Sequence, residues 1–407
     1  MENTSSIFNK AYLLRQTILN VILRQQCVSR STISTITGIR PSTITDVTKN
    51  LIDEQVIKEV GTLSNVKATD TSRRDLILNK NYARIIGVDV QVHCILAVLT
   101  DFCGNILESV VRPAPKEQSQ EDTLNTIFEC INFLLRASEG AKILGIGVST
   151  IGILNRKSDT ILLTFSRAHW THLNLKNIIA QRYPNIPIFV EDQVISKLYA
   201  EKWLDKNFND VSTILIDSDE IFGCSMYFNN KILRNSHGIC GEIAHFSVGE
   251  ENTICTCGNV NCLLMAASSS VIIRKVRKTL ENGTISMLND MIENDMTRLD
   301  ITIIQKASAQ GDRVATNILT TAALYVGQAI SYIINLLGPE QVLLSGSLVS
   351  GADAFAATVE EEARKRSLCL ISDSIHFRKA TFLKYGSALG AACMPMEDFF
   401  AFPNYVS

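Results

Sequence analysis

Apolar positions recur along this chain with two periods, and the changes of period mark its parts. In "NKAYLLRQTILNVILRQ" Leu13, Ile18, Val21 and Ile22 fall on one helical face. The next stretch is "VSRSTISTITGIRPSTITDVTKNLIDEQVIKEVG". Ser29 is placed to cap a short helix ending near Thr37, and Gly38 supplies a turn. Pro41 or Ser42 then opens a second helix, with Ile44, Val47, Leu51 and Ile52 on its buried face. "VIKEVG" alternates as a strand does. A helix, a glycine turn, a second helix and a β-hairpin are the pattern of a winged helix-turn-helix, predicted for residues 1–80.

Beyond residue 80 the pattern changes. "ARIIGVDVQVHCILAVLTDFCGNILESVVRP" predicts three consecutive strands, Ile85–Val90, His93–Leu99 and Ile106–Val111. Further buried runs are "KILGIGVST", "IPIFVED", "STILIDS" and "EQVLLSGS". Helical stretches such as "DTLNTIFECINFLLRAS" and "TNILTTAALYVGQAISYIINLL" alternate with them. The fold class expected is α/β.

Charge sharpens the division. Residues 1–80 carry 11 Lys and Arg against 7 Asp and Glu, a net +4, and the remainder carries −6. A basic head on an acidic body points to an anionic partner for the head. The exposed face of the second helix offers Ser42, Thr43, Thr45, Asp46, Lys49 and Asn50, short polar groups suited to base edges and phosphates in a major groove. "KATDTSRRD" adds Lys67, Arg73 and Arg74 for a wing or arm along the DNA backbone. A three-helix protein-binding module is the alternative.

The chain has 407 residues, 46% hydrophobic and 20% charged, which suits a folded protein of two to four units. No signal peptide and no run of about 18 apolar residues is found, so membrane insertion is not expected. Eleven cysteines, most of them isolated in apolar runs, fit reduced thiols in a cytoplasm. Three of the eleven gather in "GEIAHFSVGEENTICTCGNVNC", residues 241–262, just after a histidine.

"GICGEIAHFSV" and "CTCGNVNC", together with the strand-to-helix stretch "FVEDQVISKLYAEKW", resemble the ROK family of bacterial repressors and sugar kinases. The first two match its GE-x-x-H and C-x-C-G-x-x-x-C segments. The resemblance covers essentially the whole chain, including the DNA-binding head of the repressor branch, to which the N-acetylglucosamine and xylose repressors belong. It implies a two-lobed actin/hexokinase-like (ribonuclease H-like) body, with a first lobe at 81–192 plus 385–407 and a second lobe with a zinc-binding loop at 193–384. It also implies that Glu242 and His245 hydrogen-bond sugar hydroxyls. Asp192 is the carboxylate that acts as base in a kinase, and here it can accept a hydroxyl hydrogen bond. Glu191 stands where the kinases usually have Asn, which removes a donor and adds charge. A solvated acidic helix N-terminus is the plainer reading of Asp192 and Glu191.

Kinases of the family hold ATP phosphates on two glycine turns, and both depart from the pattern here. In "DVQVH" Asp89 remains, but Gln91 replaces glycine and His93 replaces threonine. "IDSDEIFGCSMYFNNK" holds one glycine, Gly223, and sets Asp217, Asp219 and Glu220 where triphosphate would lie, so charge repulsion is expected to oppose ATP. No catalytic residue is therefore assigned. Cys255, Cys257, Cys262 and His245 suit one tetrahedral zinc per chain, structural because four ligands leave no open position. Cys240 lies outside the family pattern.

The expected function is a cytoplasmic transcriptional regulator, a repressor, acting on operator DNA as a homodimer or homotetramer. Its effector would be a sugar or sugar phosphate bound between the lobes. The alternatives are a sugar kinase with a DNA-binding head and a repressor controlled by a sugar-transport protein.

Overall fold

A computed structural model describes residues 2–61, 74–155, 158–164, 170–219, 221–234, 240–250 and 252–402, with side chains from Lys10 onward and Leu163 excepted. The head begins with α1 (Glu2–Gln25), α2 (Arg30–Thr37) and α3 (Pro41–Asp53). Local chemistry sets these helices. Ser29 caps α2 by accepting from the Thr32 amide, and Gly38 ends it at φ 70°, in the left-handed region that glycine tolerates. Pro41 opens α3, where a missing N–H costs nothing. Ile18, Leu19, Ile22, Ile33, Ile44 and Leu51 have no exposed surface and form the core of the head.

Three strands complete it: β1 (Val28–Ser29), β2 (Ile57–Gly61) and β3 (Arg74–Leu78), in the order β1-β3-β2. Lys67 and Arg73, between β2 and β3 in the chain, lie outside the described residues. Side chains of α1 also reach the C-terminal helix Gly386–Phe400. Gln16 and Asn20 donate to the Phe399 and Phe400 carbonyls at 3.1 and 3.0 Å, satisfying groups that a helix end leaves open.

The first lobe holds the sheet β10-β7-β4-β5-β6, built from β4 (Arg84–Val90), β5 (Cys94–Asp101), β6 (Ile106–Pro113), β7 (Ile143–Thr150) and β10 (Ile188–Asp192). Its central strands are buried on both faces, as their continuous apolar runs require. Helix α4 (Gln120–Ala137), capped by Ser119, covers it, and α5 (Leu175–Arg182) precedes β10. Gly147 in β7 admits the backbone of Ala391; a Cβ there would lie 1.8 Å from its carbonyl oxygen.

A small hairpin, β8 (Ile153–Asn155) with β9 (Thr160–Leu163), is a separate two-stranded sheet. The second lobe holds the sheet β13-β12-β11-β14-β15, from β11 (Thr213–Ser218), β12 (Phe222–Phe228), β13 (Lys231–Ile232), β14 (Gln341–Ser345) and β15 (His376–Lys379). β11 runs parallel to β14 and antiparallel to β12. Helix α6 (Gln193–Leu204) packs on β12, and the core helix Arg313–Leu337 carries the main apolar cluster. That core helix is long and apolar enough to cross a membrane by length and composition, and 56% of the apolar window is buried inside the protein.

By packing, the chain forms two compact units. One comprises 1–150, 175–190 and 391–407, so the head belongs with the first sheet. The other comprises 151–174 and 191–390. Every candidate metal and sugar residue falls in the second unit.

Candidate functional site

The head presents the predicted DNA face. Ser42, Thr45, Asp46, Lys49 and Asn50 are exposed on α3, and Thr43 is half-buried. The buried side is Ile44, Thr48 and Leu51, with Val47 and Ile52 only half-buried. Thr48 takes the place expected of Val47, because its hydroxyl accepts from Arg30 Nε at 2.9 Å. Arg74 opens β3, with its side chain 69% exposed and a 2.9 Å ion pair to Glu59, which also binds Arg30.

The cysteine loop folds back on itself. Ser247 bridges to Cys262 and Ile254 to Val260, while His245 closes a single turn, Ile243–His245. One donor atom each from His245, Cys255, Cys257 and Cys262 then lies within 4.8 Å of all the others. Cys257 Sγ is 3.7 Å from Cys262 Sγ, and His245 Nδ1 is 3.8 Å from Cys255 Sγ. Zinc–sulfur bonds of about 2.3 Å at the tetrahedral angle put sulfurs roughly 3.8 Å apart, so this donor set fits one zinc. Cys240 is not part of the group.

Strand β12 braces the chain beside two of the sugar candidates, Asp192 and Glu242. Ser225 Oγ donates to the Val194 carbonyl at 2.9 Å, two residues past Asp192. The Cys224 amide donates to the Gly241 carbonyl at 3.1 Å, one residue before Glu242. Gly241, at φ 80°, has no room for a side chain against Cys224. Asp192 is the N-cap of α6, its Oδ1 accepting from Val194 and Ile195 at 2.8 and 3.2 Å. The acidic helix start is thus a real structural role, and it fixes where that carboxylate stands.

Glu191 is not solvated. It is 1% exposed, and its Oε2 binds Arg234 Nη2 at 2.7 Å. The same nitrogen donates to Tyr199 Oη at 2.6 Å. The charge added at Glu191 is therefore answered within the protein. Glu242 is exposed, and no hydrogen bond reaches its carboxylate from the described residues. Crowding by the surrounding protein still raises its carboxyl above the ordinary glutamate range.

The charge that Asp217, Asp219 and Glu220 are expected to turn against ATP is partly answered from inside the protein. Glu220 lies outside the described residues, and Lys197 bridges the other two acids. Its Nζ stands 2.6 and 2.7 Å from the Asp217 oxygens and 3.0 Å from Asp219 Oδ2. Burial works against the ammonium, but the two carboxylates outweigh it and hold it protonated. Burial also pushes Asp217 up to about 7 against the pull of Lys197. The bidentate contact marks an ionised pair. In the first lobe, Gln91 Nε2 likewise donates to Asp89 Oδ2 at 2.8 Å, and His93 is exposed.

Lys197 and Arg234 escaped the sequence reading. For Lys197 a signal existed: a lysine inside the apolar helix "VISKLYAEKW" needs a buried acid, and Asp217 is an acid at the end of an apolar strand.

The ROK family model matches residues 85–397. A putative xylose repressor from Caldicellulosiruptor sp. (strain Rt8B.4) is 28% identical over 395 residues, 96% of each chain. The crystal structure of a ROK family transcriptional regulator, a homologue of the E. coli MLC protein, superposes with a TM-score of 0.80 at 23% identity and covers 97% of each chain. A ROK family glucokinase from Streptomyces griseus, solved with glucose and AMPPNP, has a TM-score of 0.68 at 22% identity. It covers 77% of this chain and 99% of its own. The body is therefore shared with kinases, the full length is shared with regulators, and the chain belongs to the ROK family.

Proposed function

We propose that this chain is a cytoplasmic, DNA-binding transcriptional repressor of sugar uptake or catabolism, released or engaged by a sugar or sugar phosphate, and that it phosphorylates nothing. The observation that carries this reading is one polypeptide joining a helix-turn-helix head with exposed polar residues on α3 to a ROK body in which Lys197 is paired with Asp217 and Asp219. The whole-length similarity to a protein named as a putative xylose repressor supports it.

Glu242, His245, Asp192 and Glu191 would contact the effector. Glu242 and Asp192 would accept hydroxyl hydrogens, and Arg234 would hold Glu191 in place. Zinc on Cys255, Cys257, Cys262 and His245 Nδ1 is structural in this reading: when bound, it ties the cysteine loop to the turn bearing Glu242. The imidazole is then fixed in one tautomer, with Nε2 left for a ligand hydroxyl. Ser42, Thr43, Thr45, Asp46, Lys49, Asn50, Arg73 and Arg74 would meet the operator. Two heads in a symmetric oligomer would read the two half-sites.

Regulation needs a coupling energy: a hundredfold change in DNA affinity corresponds to about 2.7 kcal/mol. The test measures sugar affinity by calorimetry with and without operator, beside a kinase assay with ATP, magnesium and hexoses. A sugar that binds and shifts operator affinity by the reciprocal factor supports the reading. Steady phosphorylation abolished by Asp192→Asn overturns it. Operator binding indifferent to every sugar moves control to a protein partner.

A further inference from the structure

In α/β sheets, ligands settle at the carboxyl ends of parallel strands. In the second lobe that place is the end of β11 and β14, which run side by side from Thr213↔Gln341 to Asp217↔Ser345. The protein fills it with its own groups. Gly346, at φ 101°, lies against the Ser218 backbone so closely that a Cβ would stand 2.5 Å from the Ser218 carbonyl carbon. Ser218 Oγ donates to the Ser345 carbonyl at 2.8 Å. Asp219 Oδ1 accepts from the Ser347 amide at 2.6 Å, at the first residue of the single helical turn Ser347–Ser350. Lys197 reaches in from α6, its side chain 7% exposed, and lies between Asp219 and the 1% exposed Asp217.

Cation and anion are both supplied from within. We propose that the Lys197–Asp217–Asp219 cluster is a built-in occupant of this crevice, with the Lys197 ammonium standing for a cation and the Asp219 carboxylate for a phosphate, and that it fastens α6 without any bound nucleotide. Lys197 is then a positioning residue. It sits five residues past Asp192, the cap of α6, so the cluster also holds that carboxylate in place; this last step rests on the sugar reading of Asp192.

The geometry explains why both acids and the lysine occur together. Asp217 alone in this position would be a buried unpaired charge, and Lys197 alone likewise. Together they form a closed group with one open side at Asp219, whose side chain is 39% exposed.

The experiment uses the full chain, with thermal melting as its readout. Wild type should melt at the same temperature with or without magnesium-ATP, ADP or methylammonium. Lys197→Ala should melt lower, and millimolar methylammonium, but not sodium, should recover at least half of the loss by filling the vacated ammonium position. If that variant does not fold, Lys197→Met with Asp217→Asn removes both buried charges and should melt nearer the wild type, with no response to methylammonium. Lys197→Ala with Asp217→Gly and Asp219→Gly clears the crevice and should gain a magnesium-ATP shift that wild type lacks. A wild-type shift with magnesium-ATP overturns the proposal, and so does a Lys197→Ala protein as stable as wild type. If the methylammonium rescue holds while wild type binds no sugar, the built-in occupant stands and the sugar reading falls.

Discussion

Two acidic clusters lie in the second unit, and they are built in opposite ways. Asp217 and Asp219 are closed on Lys197 and on the Ser347 amide. Glu191, Asp192 and Glu242 are held by separate devices, an Arg234 pair, a helix cap and a glycine-seated turn, and Glu242 remains exposed. Carboxylates alone therefore do not define a binding site. What matters is whether their hydrogen-bonding capacity is spent inside the protein or left facing outward. The first cluster has the chemistry of a structural joint; in the second, Glu191 and Asp192 are also engaged within the protein and Glu242 is left facing outward.

The largest effect should come from the cysteine loop that gathers with His245. Cys262→Ser should remove one zinc per chain by elemental analysis and lower stability by about 4 kcal/mol or more, a melting shift on the order of 10 °C. It should also abolish the sugar response, because the turn bearing Glu242 and His245 loses its anchor. A metal-free protein with unchanged melting and response would break the link between zinc and the sugar response.

Asp217→Asn should come next. It leaves Lys197 buried with only Asp219, and the loss of one partner from a buried pair costs roughly 3–5 kcal/mol. Urea denaturation should show a lower midpoint, and a change within about 0.5 kcal/mol would mean that the cluster is no joint.

Glu242→Ala should reverse that profile. Stability should move by no more than about 0.5 kcal/mol, while sugar affinity falls roughly tenfold to a hundredfold with the lost charged hydrogen bond. The raised Glu242 carboxyl adds a pH signature. Protonation removes the acceptor, so affinity should decline as pH falls, beginning at a higher pH than an ordinary glutamate would give. Glu242→Gln should flatten that dependence. A mutant that loses stability but keeps affinity would erase the distinction between the clusters.

Arg74→Ala should have the smallest effect and serves as the surface control. Its pair with Glu59 is exposed, so stability should change by about 0.5 kcal/mol or less. Operator affinity should weaken for all sequences alike, and the salt slope should drop by about 1. A sequence-selective loss would give Arg74 a base-reading role.

Legibility followed distance along the chain. Ser29, Gly38 and Pro41 set the head through bonds to residues within a few positions, so the helix-turn-helix could be read directly. The strands from Arg84 to Pro113 were legible because each apolar run is bounded by its own turn. Thr48 misled the pattern, since a threonine bonded to Arg30 can occupy a buried position meant for valine.

The amino-acid sequence by itself determined the winged head, the α/β alternation and a cysteine group spaced to gather with His245, because those rest on caps, periods and short loops. Tertiary structure alone decided which acids are spent. Lys197 meets Asp217 across 20 residues and Arg234 meets Glu191 across 43. In each case a buried acid acquired its partner only through the tertiary fold, since the low dielectric of the interior makes pairing decisive and chain order does not reveal it.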